Sequence, residues 1–145
     1  ILDAGCGVGG LMKQISLLHS KTDIYGINVS DGQIKMAEQV LEGLNNCNLS
    51  VQDFMNTNYK DNTFDIVYFC ESICHNNFEK VIAESRRILK PNGVITAQVG
   101  SQDKKPEQVE KWLDVFNKNF GNTTLDRVYI PSFDCSWNFS SSINH

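Results

Sequence analysis

The residues with the clearest capacity for chemistry stand at the start of the chain, where Asp3 precedes three alternating glycines, Gly5, Gly7 and Gly9. Glycine there lets the backbone take positive φ and lets a ligand approach the main chain. Ile1 and Leu2 ahead of Asp3 predict a buried strand, and the residues after Gly9 predict a helix. The N-terminus of such a helix offers N–H groups and a positive dipole end to a negative group. The combination points to a ligand that carries a nucleoside or a carboxylate. The spacing Gly5-x-Gly7-x-x-Gly10 also satisfies the dinucleotide fingerprint. Two residues argue against a diphosphate. The Asp3 carboxylate repels pyrophosphate but accepts from an amino-acid ammonium, and Asn28 stands where a ribose-binding acid is expected.

The composition bounds what can position these groups. With 145 residues, 41% of them hydrophobic and 21% charged, the chain is one domain with room for a real core. A net charge of −4 gives no electrostatic footprint for nucleic acid, so none is expected as a partner. No apolar run reaches membrane-span length, so no integral membrane segment is expected. The chain has no signal peptide or initiator Met and opens inside a strand, which reads as a core truncated at both ends. Five scattered cysteines do not suggest a disulfide framework, and a reducing, cytoplasmic setting follows. Cys70-x-x-x-Cys74 with His75 lacks a second ligand pair, so no metal is expected.

Strand and helix signals alternate. Leu11, Ile15 and Leu18 share one helical face, and Ile24, Tyr25 and Ile27 mark a second strand. Ser30 to Leu44 reads as a helix with Ile34, Ala37, Leu41 and Leu44 inward, and Leu49 and Val51 mark a third strand. Phe64 to Phe69 is nearly continuously apolar and predicts a central strand. Asn77 is a candidate cap for a helix carrying Phe78, Val81, Ile82, Ile88 and Leu89, with Arg86, Arg87 and Lys90 complementing its C-terminal dipole. Pro91-Asn92-Gly93 stops it and feeds a fifth strand, Val94 to Val99. A last helix starts near Pro106 with a stripe of Val109, Trp112, Leu113, Phe116 and Phe120, and ends at Gly121. The order predicts an α/β fold, a Rossmann-like doubly wound and mainly parallel sheet of strand order 3-2-1-4-5. Ligands sit outside the strand carboxyl ends of such sheets, where Gly5–Gly9, Asn28, Asp53 and Cys70–His75 fall.

Asp3-Ala4-Gly5-Cys6-Gly7-Val8-Gly9 resembles motif I of class I S-adenosylmethionine-dependent methyltransferases. Tyr25-Gly26-Ile27-Asn28-Val29-Ser30-Asp31-Gly32-Gln33 resembles the second cofactor segment of the cyclopropane fatty acid synthase and sterol methyltransferase group. Residues 61–68, Glu71-Ser72-Ile73-Cys74-His75 and residues 87–93 are similar to sterol C-methyltransferases and to small terpenoid-diphosphate C-methyltransferases. The likeness runs from the first residue to about residue 100, and more loosely through the Trp112 helix. Motif I and Lys90-Pro91-Asn92-Gly93 specify only the broad superfamily, whereas Glu71-x-x-Cys74-His75 narrows it. Asn92 stands where Gly is commoner, a departure that Asn tolerates because it also adopts the left-handed conformation.

The resemblance implies S-adenosyl-L-methionine as cofactor, held by Asp3, Gly5, Cys6, Gly7 and Gly9. It implies Asn28 and Gln33 on the ribose, Asp53 accepting from the adenine amino group, and the Phe54 N–H against the ring. It places Glu71 at the substrate face as the carboxylate that steadies a carbocation and serves its final deprotonation, with His75 assisting or ordering it. Plainer roles stay open: Ser30-x-x-Gln33 as a capping box, Asn28 as a loop residue, Asp53 and Glu71 as turn caps, His75 as a surface histidine. Trp112 and Phe116 either line an apolar pocket or belong to the core. The function implied is methyl transfer to a small apolar or isoprenoid-like molecule at carbon. The alternatives are an O- or N-methyltransferase of a small metabolite and a non-catalytic cofactor-binding subunit. Residues 1–100 are read as the cofactor-binding sheet and 101–145 as the start of a substrate-side region that barely represents the fold's last two strands. An apolar acceptor allows association with a membrane surface.

Overall fold

The structure, a computed structural model, describes the backbone of residues 1–73, 77–100, 106–121, 123–130 and 133–142, and the side chains of residues 1–73, 77–99, 110–121, 123 and 124. In chain order the elements are β1 (Leu2–Ala4), α1 (Gly10–Leu18), β2 (Ile24–Asn28), α2 (Asp31–Val40), β3 (Cys47–Val51), β4 (Phe64–Cys70), α3 (Phe78–Ile88), β5 (Leu89–Gly100), α4 (Pro106–Phe120), β6 (Thr124–Ile130) and β7 (Phe133–Ser142). The sheet runs β3-β2-β1-β4-β5-β7-β6. Its first five strands are parallel, in the 3-2-1-4-5 order that the alternation predicts. Their carboxyl ends therefore share one edge.

The last two strands differ from expectation. β6 and β7 are present, β7 antiparallel to both β5 and β6. In β7, Phe133, Cys135, Trp137 and Phe139 alternate with Asp134, Ser136, Asn138 and Ser140, a period-2 strand signal that a reading of the tail as Asn- and Ser-rich passes over. Residues 101–145 thus contribute α4 and two strands to the same sheet.

One core cluster joins Leu2, Ala4, Val67, Phe69, Ile95 and Ala97 of the strands to Val81, Ile82 and Ile88 of α3 and to Trp112, Phe116 and Phe120 of α4. A second joins Cys6, Met12, Ile24, Ile34 and Leu41, under α1 and α2. Trp112 is buried and stacks on Phe78 at 5.5 Å, which makes it a core residue in this fold.

Helix α1 buries Met12 and Ser16, and Ile15 of the predicted stripe packs against the second cluster, while Leu11 and Leu18 are 41% and 76% exposed, so the packed face is rotated from the stripe read from sequence. Gly26 sets this rotation. A Cβ there would overlap the Met12 sulfur, so the bare β2 backbone admits the Met12 side chain. Helix α2 stops at Val40, short of Leu44, with Leu41 still buried as its C-cap. Asn77 caps α3 as expected, its Oδ1 accepting the Lys80 N–H. Leu89 is the C-cap of α3 and turns extended there to open β5, and Pro91 two residues on cannot continue the helix. The excursion through Asn92, at φ 62°, shifts the β4–β5 register between Phe64 and Ile66.

Candidate functional site

The glycine turn leaves β1 with positive φ at Gly5 (90°), Gly7 (55°) and Gly9 (80°). Two of these glycines are required by the protein itself. A Cβ on Gly5 would overlap Ser72 Cβ, and one on Gly9 would lie 3.1 Å from Leu41 Cδ1. Gly7 is different: no atom lies within 4 Å of where its Cβ would be. That open space is a cradle where a ligand can meet bare backbone. The Gly5 and Cys6 N–H groups both donate to the Ile27 carbonyl, at 2.9 and 3.0 Å, and Gly9 N–H donates to Cys6 O. These three hold the turn rather than face outward. Gly9, the N-cap of α1, makes no side-chain cap hydrogen bond, so the first-turn N–H groups of α1 have no capping oxygen. The Cys6 side chain points into the second core cluster, and burial, with the Asp3 charge, pushes its thiol up to about 12. Only its backbone can serve a ligand.

Asp3 is 2% exposed at the end of β1. Burial pushes its carboxyl up to about 6, against a lowering by the Tyr68 hydroxyl. Its Oδ1 is buried without a hydrogen-bond partner, as is the hydroxyl of Tyr68. An orphaned acceptor of this kind suits a ligand's ammonium.

Asn28, at the end of β2, donates from Nδ2 to Gln33 Oε1 at 2.7 Å, and Gln33 N–H donates to Ser30 Oγ at 3.3 Å. Beyond β3, Asp53 Oδ1 accepts the Met55 N–H at 2.8 Å and so caps its turn. A carboxylate retains further acceptor capacity after one such bond. The partly buried Phe54 ring meets Phe69 edge to face at 5.5 Å.

Glu71 directly follows β4, exposed, with φ 55°. A non-glycine residue in that region is unusual and marks a constrained site. The constraint is visible: Glu71 N–H donates to Gln98 O at 3.0 Å, and Ser72 Oγ donates to Ala4 O at 2.6 Å. Ser72 thereby ties the end of β4 to the end of β1. His75 lies outside the described residues, as does Cys74.

The fold thus brings Asp3, Gly5, Cys6, Gly7, Gly9, Asn28, Gln33, Asp53, Phe54 and Glu71 to the carboxyl edge of the parallel strands or the turns leaving it. Sequence reasoning missed Tyr68 and Ser72, which look like ordinary strand and turn residues. It also missed a clamp under the loop that carries Asp53. Arg87 donates to Glu84 at 2.6 Å, to Asp61 at 2.7 Å and to Tyr59 O at 2.8 Å, while Glu84 accepts from Thr57 N–H and Oγ1. Arg87, at the end of α3, therefore fastens the β3–β4 loop, a role beyond complementing a dipole.

Residues 2–97 match the family model of a methyltransferase domain. The chain belongs to that family, as a class I S-adenosylmethionine-dependent methyltransferase domain near the sterol C-methyltransferase group. It is similar to 24-methylenesterol C-methyltransferase 3 of Arabidopsis thaliana, with 38% identity over 101 residues, 67% of this chain and 28% of that protein. The chain spans less than a third of that relative's length. Among solved structures it resembles the [4+2]-cyclase SpnF, at 20% identity and TM-score 0.79, covering 98% of this chain and 74% of that one. It also resembles geranyl diphosphate C-methyltransferase from Streptomyces coelicolor, solved with Mg2+, geranyl diphosphate and S-adenosyl-L-homocysteine. That likeness has 13% identity and TM-score 0.79 over 99% of this chain and 70% of that one. At these identities the structures show the fold alone. The cofactor is S-adenosyl-L-methionine, and the residues present fit it: an orphaned buried carboxylate oxygen, an open glycine cradle and a neutral amide pair in place of an acid.

Proposed function

We propose that this chain is the cofactor-binding core of a C-methyltransferase acting on a small apolar, isoprenoid-like acceptor. In this reading Asp3 accepts from the methionine ammonium, the turn of Gly5, Cys6, Gly7 and Gly9 gives the backbone surface, and α1 faces the carboxylate. Asn28 and Gln33 hold the ribose hydroxyls, Asp53 accepts from the adenine amino group, and Phe54 N–H meets the ring. When bound, the cofactor supplies an electrophilic methyl group. The residues around the acceptor then have two tasks, to steady a cation and to remove a proton. Glu71 is assigned both, and His75 is assigned the ordering of Glu71.

The observation that carries this reading is Glu71 held at φ 55° at the cofactor edge, beside the glycine turn, by bonds on both sides. The acceptor class is supported by the likeness to sterol C-methyltransferases over residues that include Glu71. Residues from 101 onward are proposed as the substrate side, because they follow the carboxyl end of β5. No described helix is long and apolar enough to cross a membrane, and the proposed setting is the cytoplasm or a membrane surface.

The test is single-turnover kinetics at saturating cofactor on the full chain with Glu71→Gln. The amide keeps shape and removes charge and basicity. The expected result is unchanged cofactor affinity and a rate lower by about 10²–10⁴-fold, the range for a lost general base. A rate within a few-fold of the parent would remove Glu71 from the chemistry and favour a heteroatom acceptor, whose methylation needs no carbon-bound proton to leave.

A further inference from the structure

Tyr68 has no assigned task, yet its placement is specific. In the parallel pairing of β1 with β4, Tyr68 is the direct partner of Asp3. Side chains at paired positions stand on the same face of a sheet. Asp3 is 2% exposed and Tyr68 7%. Asp3 Oδ1 and Tyr68 Oη are both buried and bonded to no other group; they lie near enough for the hydroxyl to lower the Asp3 carboxyl, short of a formed hydrogen bond in the ligand-free chain. Phenylalanine would fill the same space without stranding a hydroxyl, so the hydroxyl marks a function of the site rather than of the core.

We propose that Tyr68 is a positioning residue for cofactor binding: its hydroxyl donates to the Asp3 carboxylate, keeping it charged and aimed at the ammonium of the methionine portion. The proposal rests on the reading of Asp3 as the ammonium acceptor. An ammonium has donors only and a carboxylate two oxygens, so the ligand and Tyr68 can both be served by Asp3. The electrostatics agree in sign. Burial raises the Asp3 carboxyl, and Tyr68 is the group that opposes it. Burial and the Asp3 charge raise the Tyr68 hydroxyl, so it remains a donor. The other titratable groups coupled to Asp3 are the Cys6 thiol of the glycine turn and the Cys70 thiol of β4, both pushed up by burial and by Asp3. Neither ionises where Asp3 does. Among the described residues no cation contributes to the Asp3 shift.

The test is the pH dependence of S-adenosyl-L-homocysteine binding, followed by calorimetry between about pH 5 and 9 on the full chain. The parent should gain affinity as pH rises through the Asp3 midpoint near 6. Tyr68→Phe should move that midpoint up by about one unit and leave affinity above it within a few-fold, because only the opposing hydrogen bond is lost. Replacing Tyr68 by 3-fluorotyrosine, which keeps the shape and donates more strongly, should move the midpoint down. An unchanged midpoint in either variant overturns the proposal, and the fluorinated protein decides the matter if Tyr68→Phe does not fold. Asp3→Asn separates the two readings: weak, pH-independent binding supports the ammonium assignment on which the proposal stands. Parent-like affinity and midpoint in Asp3→Asn overturn that assignment, and the proposal with it.

Discussion

Asn28 and Gln33 are joined amide to amide, Asn28 Nδ2 donating to Gln33 Oε1 at 2.7 Å across the step from β2 into α2. Asn28 Oδ1 in turn accepts the Ser30 N–H at 2.9 Å, and Ser30 Oγ accepts the Gln33 N–H. A full capping box would send the Gln33 side chain back to Ser30 N–H. Here Asn28 occupies that donor, and Gln33 is released to the strand end. The backbone of Gln33 serves the helix while its side chain serves the site, so the two readings of this residue describe different atoms.

That division gives a two-variant experiment. Ser30→Ala removes the cap and should cost about 1 kcal/mol of stability, with little change in S-adenosyl-L-homocysteine affinity. Gln33→Ala keeps its N–H and should leave the melting temperature in place. Its lost hydrogen bond, worth about 1 kcal/mol, should weaken binding by about 3–10-fold. Melting curves and calorimetry on both variants check this. A Gln33→Ala protein that melts earlier and binds normally would make Gln33 a helix residue alone.

The glycines of the turn should separate in the same way. Gly7→Ala places a methyl group in open space at φ 55°, a strain of about 1–2 kcal/mol for an L-residue. The protein should fold and lose cofactor binding. Gly5→Ala drives its methyl into Ser72 Cβ, at the link between β1 and β4. Overpacking and the left-handed strain add, so on the order of 3 kcal/mol of stability should be lost. Urea unfolding beside calorimetry distinguishes the two losses. A Gly7→Ala protein that binds like the parent would show that no ligand approaches there.

The parallel core was legible because its signals are local. Gly5 to Gly9, the apolar run ending at Phe69 and the stop at Pro91 each carry their meaning within a few residues. The candidate site residues were legible as a motif, yet their couplings were not. Asp3 meets Tyr68 across 65 positions and Ser72 meets Ala4 across 68, and nothing in a strand's alternation says which polar atoms will face each other. The α1 face was misread for a related reason. Leu11, Ile15 and Leu18 outweigh Met12 and Ser16 in hydropathy, but Gly26 on another strand admits the Met12 side chain and so sets how the helix seats. β7 was legible in the alternation of Phe133, Cys135, Trp137 and Phe139 with polar residues, and was missed because the tail's Asn and Ser content was weighed instead of its period.

Two buried carboxylates should give the ligand-free protein opposite slopes of stability with pH. Glu84 is held below its usual value: burial pushes it up, and hydrogen bonds from Arg87 and Thr57 outweigh that. Its contribution is present above the ordinary glutamate value of 4.5 and is lost as pH falls through its lowered one. Asp3 is raised from 3.8 to about 6, so its contribution is present below 3.8 and is lost as pH climbs through about 6. A shift of that size corresponds to about 3 kcal/mol at full ionisation. Glu84→Gln should therefore lose about 2 kcal/mol at pH 7, the worth of charged hydrogen bonds, and flatten the acid limb. Asp3→Asn should erase the fall between pH 4 and 6 and be more stable than the parent at pH 7, by up to about 3 kcal/mol. Urea midpoints from about pH 3 to 8 measure both. An Asp3→Asn protein that is less stable than the parent at pH 7, with the slope intact, would mean that the folded protein already compensates this charge. The expected gain has a functional meaning. A carboxylate whose ionisation weakens the ligand-free fold, and whose replacement stabilises it while removing binding, is held in place for its ligand.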